Sequence, residues 1–89
     1  MDAVAISLAT QWELLKTHVK EEAQKLVDDF PDNKAQTLNA PVQAEEFCQR
    51  KAPTSLAELQ LLMVASSMTL NDFNANRQLL SQRNRYRPK

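Results

Sequence analysis

The 89-residue chain contains no glycine. At ordinary usage a chain of this length carries about six. Glycine is the default residue where the backbone must adopt positive φ or approach a ligand closely. Its absence removes phosphate-cradling loops, the dinucleotide fingerprint, the nucleophile elbow and the glycine-turned hairpin together. Cysteine is nearly absent too: Cys48 is alone, so no intramolecular disulfide forms. Histidine occurs once, as His18, and a zinc site needs three or four ligands. No apolar run reaches half of the roughly 20 residues that span a bilayer. The first ten residues, MDAVAISLAT, hold an acid where a secretory leader has a basic region and lack a sustained apolar stretch. These absences lead us to expect a soluble, intracellular, cytoplasmic protein with no membrane association, no cofactor, no metal and no small-molecule substrate.

What is present is a set of helical patterns punctuated by Pro31, Pro41 and Pro53. Leu8, Trp12, Leu15, Val19, Ala23, Leu26 and Phe30 follow spacings of three and four and form one apolar stripe. They predict a first helix over about residues 2–29. Its start is either Asp2 or the capping-box pattern Thr10–Glu13. Pro31 disfavours helical geometry at Phe30, so residues 30–39 read as a polar connector. A short second helix over about 40–51 follows, with Asn39 as its cap and Pro41 in its first turn. Val42, Phe47 and Cys48 give it a narrow apolar side.

The third helix, over about 55–85, has the clearest start. Ser55–Leu56–Ala57–Glu58 is a capping box after a proline. Leu56, Leu59, Met63, Ser66, Leu70, Phe73, Arg77 and Leu80 keep alternating spacings of three and four, a heptad-like seam. A second capping pattern, Thr69–Asp72, leaves open a break near Ser66–Thr69, but the seam holds phase through it. Residues 86–89 read as a basic tail. No strand-length alternation occurs. The expected fold is therefore a single all-α domain. Its form is a long antiparallel helical hairpin with a short intervening helix, a three-helix unit open to dimerisation into a four-helix core.

Chemistry-bearing candidates are sparse. Glu21–Glu22, Asp28–Asp29 and Glu45–Glu46 are neighbours on helices, and adjacent side chains there diverge by about 100°, so they do not converge on one atom. His18 and Cys48 lack any local nucleophile motif. The chain reads as a non-enzyme. Between Leu56 and Ala65 only Glu58 and Gln60 are polar, an apolar density exceeding what one partner helix covers. This predicts an interaction protein (an adaptor, a regulator or a chaperone-like subunit) that packs a helix face on another protein or on a second copy of itself. Trp12, Leu59, Leu62, Met63, Leu70 and Phe73 are the candidate packing residues.

Zero net charge conceals a strong asymmetry. Residues 1–72 hold all eleven acids against six bases, whereas residues 73–89 hold five bases and no acid. Asn71, Asn74, Arg77, Gln78, Arg83, Arg85 and Arg87 supply side chains that meet phosphates and base edges. The alternative reading is a nucleic-acid binder, as a monomer or a dimer, contacting double-stranded RNA or DNA backbone through this Asn/Gln/Arg-rich C-terminal helix. Against it, dedicated nucleic-acid domains have pI above about 9, and this chain has a pI near 6.6.

Overall fold

The structure is a computed structural model that describes the backbone of residues 3–85 and the side chains of residues 7–83. Its elements are α1 (Ala3–Asp29), a 3₁₀ turn (Pro31–Asn33), α2 (Lys34–Thr37), α3 (Asn39–Cys48) and α4 (Leu56–Arg85). No described residue is in a strand, so the all-α class expected from the spacing is the one observed. No described residue has positive φ. The reversals are made by proline and by helix ends that stay right-handed, which is how the chain dispenses with glycine.

Helix α1 is continuous through Thr10, so the longer of the two expected starts is the real one; Asp2 lies outside the described residues. Leu8, Trp12, Val19, Ala23, Leu26 and Phe30 are buried, with Leu15 packed against them. Phe30 leaves the helix at φ −130°, ψ 64°, outside the helical region that the following Pro31 disfavours. The expected polar connector is more structured than its composition suggests. The 3₁₀ turn and α2 fill most of it, and Thr37 is fully buried. Its hydroxyl donates to the carbonyls of Asn33 (3.2 Å) and Lys34 (3.4 Å), which is what lets a polar side chain enter the core.

Asn39 does not cap α3 as expected. The chain enters from Leu38 in right-handed geometry without a side-chain cap, and Asn39 is already helical. Nor does α3 reach Lys51. It ends at Cys48, where Gln49 (φ −84°, ψ −3°) and Arg50 turn back onto the carbonyls of Glu45, Glu46 and Phe47. The buried side also differs from the expected one. Ala40, Ala44 and Phe47 face inward, Cys48 is half-buried and Val42 is exposed.

Helices α1 and α3 run antiparallel. Trp12 meets Phe47 with ring centroids 5.3 Å apart, the Cys48 thiol donates to the Lys16 carbonyl at 3.8 Å, and Lys20 and Gln24 share a crevice with Pro41 and Glu45. The loop from 49 to 55 reverses the chain again, so the hairpin is formed twice, between each long helix and the short one. The two long helices themselves run parallel, contrary to the antiparallel pairing expected of them. His18 and Glu22 border Leu70 and Asn74, Asp29 pairs with Arg77, and Asn76 donates to the Gln36 carbonyl at 3.1 Å. The reason is length. An intervening helix of 10 residues is long enough to carry the chain back along α1, and α4 must then retrace the path of α1.

Helix α4 is unbroken through Ser66–Thr69. The Ser66 and Thr69 hydroxyls bond back within the helix, Ser66 to the Met63 carbonyl (2.8 Å) and Thr69 to the Ala65 carbonyl (3.0 Å), a local pattern that a helix interior accommodates without a break. At the start of α4 the Ser55 hydroxyl accepts from the Glu58 N–H at 3.2 Å. Glu58 reaches back to the N–H and hydroxyl of Thr54, one residue beyond the standard capping-box partner. These donors, the hydroxyl foremost, hold the Glu58 carboxyl below its ordinary value of 4.5.

Leu80 and Leu26 are completely buried. Leu80→Ala is expected to lower unfolding stability by about 2–5 kcal/mol in urea titration, whereas the exposed Leu14→Ala is expected to stay within about 0.5 kcal/mol. Ser55→Ala is expected to cost about 1 kcal/mol. Because the folded-state pKa of Glu58 lies below the unfolded one, its contribution is complete above pH 4.5 and is lost as pH falls through the folded value. Stability measured from about pH 5 downward, roughly over two units, should therefore fall less steeply in Glu58→Gln.

Candidate interaction surface

The core uses one face of α4. Leu59, Leu62, Ser66, Phe73 and Leu80 are buried on it. The expected seam included Leu56 and Met63, but these are 63% and 48% exposed. The difference follows from helix geometry. A heptad line on a straight α-helix drifts about 20° per seven residues. The line Leu56–Met63–Leu70–Arg77 starts outside the contact and drifts into it, so Leu70 and Arg77 become half-buried. The line Leu59–Ser66–Phe73–Leu80 drifts within the contact and stays buried throughout.

Of the six predicted packing residues, Trp12, Leu59, Leu62 and Phe73 are therefore consumed within the chain's own core, Leu70 is partly covered, and Met63 remains at the surface. The uncovered apolar surface lies elsewhere. Leu61 is 71% exposed, Met68 63%, Val64 58% and Leu79 54%. With Ala57 and Ala75, also exposed, they occupy positions 57, 61, 64, 68, 75 and 79. At about 100° per residue these six lie within about 60° of one another and roughly opposite the buried seam. Helix α4 thus carries two apolar faces, one packed and one open, the open one about 33 Å long. Its signal in the sequence was the same three-and-four spacing as the seam, displaced by two residues. Asn71 and Asp72 straddle its centre line. Leu14, Leu38 and Val42 are also exposed but lie on α1, in the turn before α3 and on α3, and scattered apolar residues are ordinary surface.

One end of the open face runs into a groove of about 420 Å³ at the corner between α3 and α4. Leu61 and Leu62 line it together with Pro53, Arg50, Lys51 and Glu58. The other end leads to the exposed Arg83. Arg85 closes α4, and Arg87 lies outside the described residues.

The candidate polar face is only partly brought together. Asn71, Asn74 and Gln78 are exposed. Arg77 is not a free cation: its guanidinium donates to the Asp29 carboxylate and also bounds a crevice of about 140 Å³ with His18, Glu22 and Asn74. The remaining acids are dispersed. Asp28 accepts from Gln24 at 2.9 Å, and Glu13 pairs with Lys16 at 2.7 Å, whose ammonium lies 5.3 Å from the Trp12 ring. His18 is exposed while the Cys48 thiol is turned to the Lys16 carbonyl. Among the described residues no group of three or more His, Cys, Asp or Glu side chains is placed to hold a metal, and no helix is long and apolar enough to cross a membrane.

Comparison with protein-family models, with curated proteins and with solved structures found no match.

The exposure of the open face has a direct chemical readout. Thioether oxidation follows access. Mild peroxide on the folded chain at low concentration should convert Met63 and Met68 to sulfoxides at rates within roughly tenfold of free methionine, as read by peptide mass spectrometry. Strong protection of Met68 in the isolated folded chain would contradict the exposure described.

Proposed function

We propose that this chain is a small non-enzymatic helical interaction protein that docks a partner's helix along the outer face of α4. The observation that carries this reading is the second apolar stripe at Leu61, Val64, Met68 and Leu79, uncovered on a helix whose opposite side already forms the core. Helix-in-groove recognition uses anchors at this spacing. Covering the exposed part of each of these four side chains is worth about 1 kcal/mol, with a comparable amount from the partner's own apolar side chains. That gross gain of roughly 8 kcal/mol falls within the 4–15 kcal/mol that association itself costs. The stripe alone therefore supports weak, reversible docking, and contacts at its ends decide affinity and partner choice.

Nucleic-acid contact through the polar side of α4 has less support. Its central cation, Arg77, is engaged by Asp29, and the exposed cation remaining on the described part of that helix is Arg83. An apolar stripe also offers little to a phosphate backbone, where affinity comes from cations.

The docking face can be tested in the native host by placing a photo-crosslinking amino acid at Leu61, at Met68 or at the exposed Glu21 of α1. Adducts with another polypeptide are expected at the two α4 positions and not at Glu21. Equal yields at all three positions, or no adduct at any, would remove the proposal.

A further inference from the structure

We infer that the segment docking on α4 is an amphipathic helix that is acidic at both ends of its apolar stripe. This rests on the reading of the outer α4 face as a docking surface and adds the chemistry of its occupant.

The charges around the stripe are unevenly placed. At its N-terminal end, Arg50 and Lys51 are exposed and border the groove that Leu61 opens into. Glu58 borders the same groove and stays ionised on the Thr54 N–H and hydroxyl, so this end carries two cations against one acid. At the C-terminal end Arg83 is exposed on the flank of the stripe, about 65° from its centre line. Between the ends the flanks are neutral at Gln60, Asn71 and Gln78, with Asp72 the one acid. An occupant about 22 residues long therefore meets a single acid, Asp72, and no cation along its middle, and a net positive charge at each end.

This pattern selects among occupants. A second copy of the chain fits poorly in either direction. Laid antiparallel, stripe on stripe, it sets Arg83 of one copy beside the corner that carries Arg50 and Lys51 of the other; laid parallel, it sets Arg83 beside Arg83. Both place like charges together, which disfavours association. An anionic membrane surface is met by helices with cations along the polar face and aromatic or large apolar residues inserted. Here the flanks between the ends hold no cation and one acid, Asp72, and the stripe holds no aromatic residue. A helix with carboxylates at each end satisfies both the apolar middle and the cationic ends. Up to three exposed ion pairs, at Arg50, Lys51 and Arg83, each contributing a few-fold, give a preference of roughly tenfold over the charge-reversed equivalent.

The test uses two labelled synthetic helices of about 22 residues, with leucines at alternating spacings of three and four and either two glutamates or two lysines at each end. Their affinity for the full chain is read by fluorescence anisotropy at about 0.05 M and about 0.5 M salt. The glutamate-ended helix is expected to bind roughly tenfold tighter at low salt, with the advantage shrinking to within about twofold at high salt. Arg50→Glu with Lys51→Glu, and separately Arg83→Glu, are each expected to remove part of that advantage. Leu61→Glu with Met68→Glu, at exposed positions, is expected to abolish binding of both helices while circular dichroism stays unchanged. Equal affinity of the two peptides, preference for the lysine-ended one, tighter binding to anionic phospholipid vesicles, or a dimer in sedimentation strengthened by Arg83→Glu would each overturn the inference. Should the charge preference be absent while photo-adducts persist at Leu61 and Met68, the docking face stands and the acidic-ended occupant falls. Absence of those adducts removes the docking face itself.

Discussion

The structure depends on the contact between α1 and the small inner side of α3. Ala40, Ala44 and Phe47 are what α3 presents to the core. The two alanines let the short helix lie close to Val19, Ala23 and Leu26 on α1, and Phe47 anchors its far end on Trp12 at 5.3 Å. That contact returns the chain along α1 before α4 begins. It therefore sets the direction of α4, its register against α1, and which of its faces is turned inward. The rest of the core is the consequence: Leu62, Phe73 and Leu80 join the same buried cluster, with Phe73 beside Glu22.

The same arrangement explains why one helix keeps an open apolar face. Helix α4 is 30 residues long and α3 is 10. A helix is enclosed only when neighbours surround it, and two neighbours of unequal length, both on one side, leave the opposite side bare. The α4 sequence nevertheless carries apolar side chains on that bare side from Ala57 to Leu79. Stability of the chain on its own does not require them there, since surface positions contribute little to folding. Their regular spacing over about six turns is what separates them from the single exposed apolar residues on α1 and α3.

Much of the fold was legible because helical periodicity and proline placement are local signals. The α1 stripe was read residue for residue, and so were the Pro31 stop, the Ser55 cap and the continuity of α4 through Ser66. The departures arise where tertiary packing decides. Asn39 is a good cap in isolation, yet the buried Thr37 holds the preceding turn helical, so the chain enters α3 without needing one. Val42 is more apolar than Ala44, yet close approach to α1 selects the smaller residue. The parallel relation of the long helices lies in no local pattern, because it comes from two reversals in series. The candidate surface was half legible. Excess apolar density between Leu56 and Ala65 pointed to α4, but which residues are spent inside depends on the seam's drift, and that removed Leu59 and Leu62 and left Leu61 and Val64.

The division of charge along the chain takes on a structural meaning in this fold. Read linearly, an acidic body precedes a basic end. In three dimensions Asp29 is spent on Arg77, so among the described side chains of α4 the cation left over is Arg83, at one extremity of the open stripe. Arg50 and Lys51 belong to the nominally acidic part of the sequence, yet the reversal after α3 carries them to the same helix whose other end holds Arg83. Linear charge counting joins Arg83 to its sequence neighbours and suggests a nucleic-acid tail. Spatial placement joins it instead to Arg50 and Lys51 across an apolar stripe. A surface that is apolar along its length and cationic at both ends matches a helix of complementary pattern better than it matches a uniformly charged polyanion.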